Sequence, residues 1–433
     1  MGKRPALLKD RKAKAELILQ EEQLRSPFTV VERKDGEFVA TPYSEAYKYH
    51  LDLAAAFLRD AAALTGDYGL KAYLTSRAKA LGDNLYETSE RASLHQRGPL
   101  RVFLGPSYTH EDQLMGYKAA FGALILYVDE KRTREIQGMW RYLPQFAAQL
   151  PQGKNPFSRI SGVCPLGAAY ELYSAGYPRA GFHPVSFAYP FTYGFDKLKR
   201  VTESIMLLSN VVEAKFSTVV LPLGQLIVNP DQHRFIKADA FSRGQVFMEL
   251  AAYVGPTQRR VGRDLIPVMD ILKSVGPVME AAKNRVVAMA HLGWQVTKKR
   301  HGTEADLKAG YVTSLVSLFR YLLVDPTSTY ARAGLILLNR LLSEKAVTFD
   351  MSALTFTINF EKIPGTIDSL LKEILGILDT GDEAQGKAFV KRWAALSPEV
   401  VRSIEKYRGS RIEVYPSYPL LGVLGIGDRE WTK

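Results

Sequence analysis

The chain has 433 residues, 46% apolar and 24% charged, with a net charge of +12. That length and balance describe a soluble globular protein able to bury a large core, as one domain or two lobes. No uninterrupted apolar stretch approaches the roughly 20 residues of a membrane span, and Cys164 as the lone cysteine excludes an internal disulfide framework or a cysteine-based metal cluster. The basic excess is spread over an N-terminal run (Lys3, Arg4, Lys9, Arg11, Lys12, Lys14) and short patches such as Arg259, Arg260, Arg263 and Lys298, Lys299, Arg300. No helix-turn-helix, zinc finger or aromatic RNA-binding signature accompanies them, so neither nucleic acid nor a membrane is an expected partner. The start, Met1-Gly2-Lys3-Arg4, lacks an apolar signal core, and Ala6 stands where a myristoylation signal needs Ser or Thr. The expected location is cytoplasmic.

In chain order, residues 1–25 read as a charged arm ahead of a single domain over 26–433. A hairpin is expected around Lys34-Asp35-Gly36. From Ser44, the spacing of Tyr47, Leu51, Ala54, Phe57, Leu58 and Ala61 predicts a helix with one apolar face. Further helices are expected over 69–82, 112–130, 133–143, 196–221, 238–254, 264–275, 277–298, 306–324 and 328–344. Strands are expected at Leu100–Leu104, Val185–Tyr189, Ala346–Phe349 and Leu354–Phe360. Short helices follow Pro364-Gly365 and start at Ser397-Pro398-Glu399, where Ser can cap and Pro fits the first turn. Arg411–Tyr415 closes the pattern as an extended segment. The fold class is mainly α with a minor β component (α+β), in two lobes around a cleft.

One segment carries the chemistry. In a helical H-E-x-x-H, two imidazoles one turn apart hold Zn²⁺ while the Glu acts on bound water. Here the matching stretch is Met248-Glu249-Leu250-Ala251-Ala252-Tyr253, which keeps the Glu and loses both ligands. Other segments point the same way: Thr41–Tyr47, Glu111–Phe121, Arg179–Gly181, Asn210–Phe216, Gly255-Pro256 and Tyr311–Thr313. Together they resemble the dipeptidyl peptidase III family, in particular its shorter bacterial members, from about Phe28 to about Tyr415. The resemblance implies a two-lobed fold with a central cleft, and residues 238–345 as the helical, formerly catalytic lobe.

Carried over residue by residue, the resemblance also implies that the peptidase machinery has been replaced. The E-E-x-x-A-[DE] helix that supplies the third zinc ligand reads Glu280-Ala281-Ala282-Lys283-Asn284-Arg285, with Ala281 at the ligand and Arg285 at the acidic position. The substrate-holding E-T-Y-x-D becomes Tyr108-Thr109-His110-Glu111-Asp112, and F-N-L-P-N becomes Phe187-Ala188-Tyr189-Pro190-Phe191. A family His just before a retained Arg, here Arg332, falls on Ser328 or Tyr330. No zinc and no other cofactor is expected.

Two readings of Glu249 stay open: a proton-transfer group whose pKa burial has raised, or a structural carboxylate paired with Arg285 or another base. His110, beside two carboxylates, is the best histidine candidate, whereas His291 sits in an apolar helical run and reads as a core residue. The expected function is a metal-independent enzyme, a lyase acting by elimination or retro-aldol type cleavage on a small aromatic molecule. Glu249, His110 and Tyr330 are its catalytic candidates. Tyr108, Tyr189, Phe191, Met248, Tyr253, Arg285 and Arg332 line the substrate pocket. The alternative is an inactive peptidase relative that binds a peptide or protein.

Overall fold

The computed structural model describes residues 22–108, 112, 117–151, 160, 162–176, 184–189 and 204–410. Strands Thr29–Lys34 (β1) and Glu37–Pro42 (β2) form the expected hairpin. Its turn residues Asp35 (φ 50°) and Gly36 (φ 94°) both take the positive φ that a tight two-residue hairpin requires. Next come helices Lys48–Leu64 (α1) and Tyr68–Asp83 (α2). Asp67 caps α2 through Gly69 N and Leu70 N, and Asn84 in the left-handed region ends it. The buried ridge of α1 is Leu51, Ala55, Leu58 and Ala62. This corrects the predicted stripe: Phe57 is 64% exposed, because the ridge follows one narrow i, i+4 and i+3 row and Phe57 falls beside it.

Strands Leu100–Tyr108 (β3), Ala120–Val128 (β4), Leu166–Ala175 (β5), Ser186–Tyr189 (β6) and Ser204–Leu208 (β7) build a five-stranded sheet in the order β3-β4-β5-β7-β6. Only the β5–β7 pair is parallel. A flat sheet of that width would hold its edges roughly 19 Å apart at ~4.8 Å per strand. Instead Phe103 on β3 meets Phe187 and Tyr189 on β6 at ring centroid distances of 4.7 Å. The sheet therefore curls on itself, enclosing Phe103, Leu124, Leu126, Phe187, Tyr189 and Met206.

The sequence over 112–130 and 196–221 predicts helix, and the structure corrects both. β4 occupies 120–128, and β7 occupies 204–208 before a helix begins at Ser209. Both are continuous apolar runs, β7 mostly buried and β4 buried at Leu124 and Leu126, and periodicity cannot separate such a run from a helix. The expected helix at 264–275 is likewise replaced at its start. Gln258–Val261 pairs with Asp264–Pro267 in a hairpin, leaving only the short helix Val268–Ile271.

The second lobe is helical. Ala238–Ala251 (α3), Gly276–Thr297 (α4), Glu304–Val324 (α5), Thr329–Ser343 (α6) and Ile363–Thr380 (α7) contribute most of one large apolar core. α5 is long and apolar enough to cross a membrane by length and composition, but most of it is buried in this core. Val347–Asp350 and Thr355–Ile358 form the expected C-terminal hairpin. The architecture is mainly α with a minor β component, in two lobes. The arm up to residue 21 and the extended segment from Arg411 lie outside the described residues.

Candidate functional site

Glu249 lies in the last turn of α3. Val246, Phe247, Leu250 and Ala251 around it face the core, and this apolar flank fixes the rotation of the helix. Arg243 anchors α3, pairing with Asp239 at 2.7 Å and reaching Asp306 on α5 at 3.0 Å. Past its end, Gly255 adopts φ +83°, and a Cβ there would come within 3.0 Å of Leu375. Only glycine suits both demands.

The Glu249 carboxylate is half-buried and accepts a hydrogen bond from Ser186 Oγ at 2.6 Å. Ser186 opens β6, so this bond joins the curled sheet to the helical lobe. Burial among apolar neighbours raises the Glu249 pKa above the ordinary carboxylate range, and the Ser186 bond opposes that rise. The negative end of the α3 dipole also disfavours the ionised form.

Tyr330 stands in the first turn of α6, which Ser328 caps by accepting from Ala331 N at 3.3 Å. Its ring lies 5.5 Å from that of Tyr321 on α5. Surrounding protein, then Tyr321 and Glu249, raise the phenol pKa while Arg285 lowers it. Because the residue is 55% exposed, solvent screens much of that effect. Tyr330 thus feels both Glu249 and Arg285.

Arg285, on α4, is buried, with its guanidinium over the Tyr321 ring at 5.6 Å. Arg320 approaches the same ring at 4.9 Å and donates to Tyr321 Oη at 3.2 Å. Burial depresses the Arg285 pKa, with Tyr321 opposing and Arg320 adding to the effect. No ion pair joins Glu249 to Arg285 among the described residues. Of the two readings of Glu249, a partnership with Arg285 is therefore corrected: the carboxylate bonds a neutral hydroxyl and keeps an elevated pKa.

Other expected site residues stand elsewhere. Phe187 and Tyr189 point into the sheet interior, because alternate residues of a strand face opposite sides, so Tyr189 turns away from Ser186 and Glu249. Tyr253 is buried edge-on against Trp140 at 5.5 Å, and Met248 packs on the main core. Arg332 is half-buried on α6. Tyr108 pairs with Ala120 at the end of β3. Its side chain, His110 and Phe191 lie outside the described residues. His291 is a core residue, stacked on Phe146 at 4.6 Å and bonded to Gln295 at 3.0 Å.

Sequence reasoning missed Ser186, Arg320 and Tyr321. The Arg320-Tyr321 pair interrupts the apolar run Leu315–Leu323 and could have been read as a buried polar insertion. Ser186 carried no local signal, since its meaning comes from a partner 63 positions away.

The residues do not fit a zinc ion. Met248, Ala252 or Tyr253, and Ala281 cannot supply the imidazole and carboxylate donors zinc takes, and α4 carries the buried Arg285 where the motif it resembles has an acidic group. Among the described residues no group of three His, Cys, Asp or Glu side chains stands together.

A two-lobed α+β chain with a curled five-stranded sheet below a helical lobe has the dipeptidyl peptidase III fold. The dipeptidyl peptidase III structure from Caldithrix abyssi matches it with a TM-score of 0.89 at 27% identity, covering 96% of this chain and 80% of that one. The enzyme from Corallococcus sp. strain EGB matches with a TM-score of 0.77 at 26% identity, covering 96% and 78%. Nudix hydrolase 3 of Arabidopsis thaliana is 26% identical over 393 residues, 90% of this chain. The chain spans 50% of that relative's length. No protein-family model matches. The chain is thus a structural relative of a peptidase whose metal-binding positions carry other residues.

Proposed function

We propose that the protein is a metal-independent enzyme that moves a proton with Glu249 on a small aromatic molecule, in an elimination or retro-aldol type lyase reaction. The observation that carries this is the Glu249 carboxylate. It accepts a hydrogen bond from one hydroxyl, pairs with no cation among the described residues, and sits in surroundings whose burial raises its pKa above the ordinary carboxylate range, the direction a proton-transfer carboxyl needs. Tyr330, half-open and influenced by Glu249, is the phenol best placed to donate a hydrogen bond to an oxygen that gains charge. Neither group needs a metal-bound water, which favours carbon–carbon or carbon–heteroatom cleavage over hydrolysis. A cytoplasmic location agrees with this chemistry.

Glu249→Gln tests the reading, because the amide keeps the shape and the bond from Ser186 but loses the basicity. Turnover of a substrate found by screening aromatic acids and hydroxyketones should fall by about 10² or more. The same variant should be at least as heat-stable as the wild type at pH 8. A raised carboxyl pKa means that stability present below the ordinary carboxylate range is lost as pH rises through the folded value, and the amide escapes that loss. Full turnover in a folded Glu249→Gln protein would favour the binding-protein alternative, for which a buried Arg285 with no carboxylate partner among the described residues is also suited.

A further inference from the structure

Arg285 is 6% exposed, and its Nε has no hydrogen-bond partner. No carboxylate pairs with it among the described residues. A guanidinium offers five donors in a planar fork suited to a carboxylate, and taking it out of water without a counter-charge is strongly unfavourable. Arg320, of like sign, approaches the same Tyr321 ring at 4.9 Å, and the ring contact of Arg285 at 5.6 Å compensates its burial only in part. A chain that keeps such a charge at the edge of its candidate site holds it ready for an anion.

What lies around it defines the anion further. Tyr321 and Tyr330 present neighbouring rings, and Tyr330 leaves 55% of its surface free for a planar ligand. The Arg285 guanidinium lies 5.6 Å from the Tyr321 ring and Tyr330 lies 5.5 Å from it, so an acid whose carboxylate meets the guanidinium can lay its ring along these tyrosines. We propose that Arg285 anchors the carboxylate of a small aromatic acid whose ring lies against Tyr330 and whose reacting carbon is presented to Glu249. The last clause rests on the function proposed above; the anion site does not.

Calorimetric titration of the full chain with benzoate, benzamide, phenylphosphonate and inorganic phosphate tests the site without turnover. Benzoate should bind the wild type and Glu249→Gln alike, at least tenfold more tightly than benzamide. Arg285→Met should bind benzoate at least tenfold more weakly while unfolding at an equal or higher temperature, since it removes an unpaired buried charge. If Arg285→Met fails to fold, Arg285→Lys keeps the charge and loses the fork, and benzoate should still weaken severalfold. Equal affinity for benzoate and benzamide, or benzoate affinity unchanged in either Arg285 variant, would overturn the site. Arg285-dependent binding of phosphate or phenylphosphonate without benzoate would overturn its assignment to a carboxylate. A protein that holds benzoate through Arg285 yet turns over no aromatic acid would sink the lyase reading and leave the anion site standing.

Discussion

His291 shows how burial alone sets the behaviour of a titratable group. It is 1% exposed, and burial pushes its pKa down from 6.5 to about 3. The unfolded chain therefore binds a proton that the folded chain refuses, and stability falls as pH drops from about 6.5 toward 3. Between pH 7 and 5, above the ordinary carboxylate range, this one residue should contribute a slope approaching ~1.4 kcal/mol per pH unit. Denaturant titrations across that range should show the slope in the wild type and its loss in His291→Leu. An equal slope in both would place the acid sensitivity elsewhere. At this scale much was legible. The apolar flanks of Glu249 and the helical run around His291 announced burial, whereas the hydroxyl that meets Glu249 could not be foreseen from local sequence.

The helices of the second lobe follow their local signals closely, and α5 makes the reason visible. Thr303 and Asp306 form a reciprocal capping box at its start, and Asp306 also receives Arg243 from α3. A single acidic side chain thus ends one helix neatly and holds the helix that bears Glu249. Thr303→Ala should cost about 1 kcal/mol, the usual loss of an N-cap. Asp306→Ala, which also strips a partner from the buried Arg243, should cost clearly more. Urea denaturation of the two variants decides this, and an Asp306→Ala protein no weaker than Thr303→Ala would mean that Arg243 is satisfied by Asp239 alone. The strands were less legible. β7 is apolar on both faces because Met206 and Leu208 line the sheet interior while Ile205 and Leu207 meet the helical core, and in β4 the buried Leu124 and Leu126 alternate with residues that are apolar yet partly buried or exposed, so neither sequence shows the alternation that marks a half-buried strand.

Across the whole molecule, the Ser186–Glu249 hydrogen bond ties the sheet to the helical lobe at the candidate site. Ser186→Ala should leave the carboxylate without its donor, push the Glu249 pKa further up, and speed amide hydrogen exchange in β6 and the last turn of α3. Unchanged protection of both segments would show that core packing alone joins the lobes there. The resemblance pointed to this architecture because its matched segments mostly do structural work. Tyr43 bonds Ala119 O across 76 positions, Asn210 clamps the backbone of Glu171 on β5, and Thr313 holds the chain entering α3. Such contacts outlast the chemistry they once supported.

The buried guanidinium of Arg285 also bears on whether a zinc site could be built on this scaffold by stepwise change. An imidazole placed at Met248 alone would be a lone ligand, and a second at Ala252 would give two nitrogens in a lobe that already buries the positive charge of Arg285. Each intermediate would lose packing without gaining metal, so selection would discard it. Removal of Arg285 has to come first, and it costs whatever that residue now does. Arg285 on α4 therefore acts as a ratchet against a metal at this place in the fold.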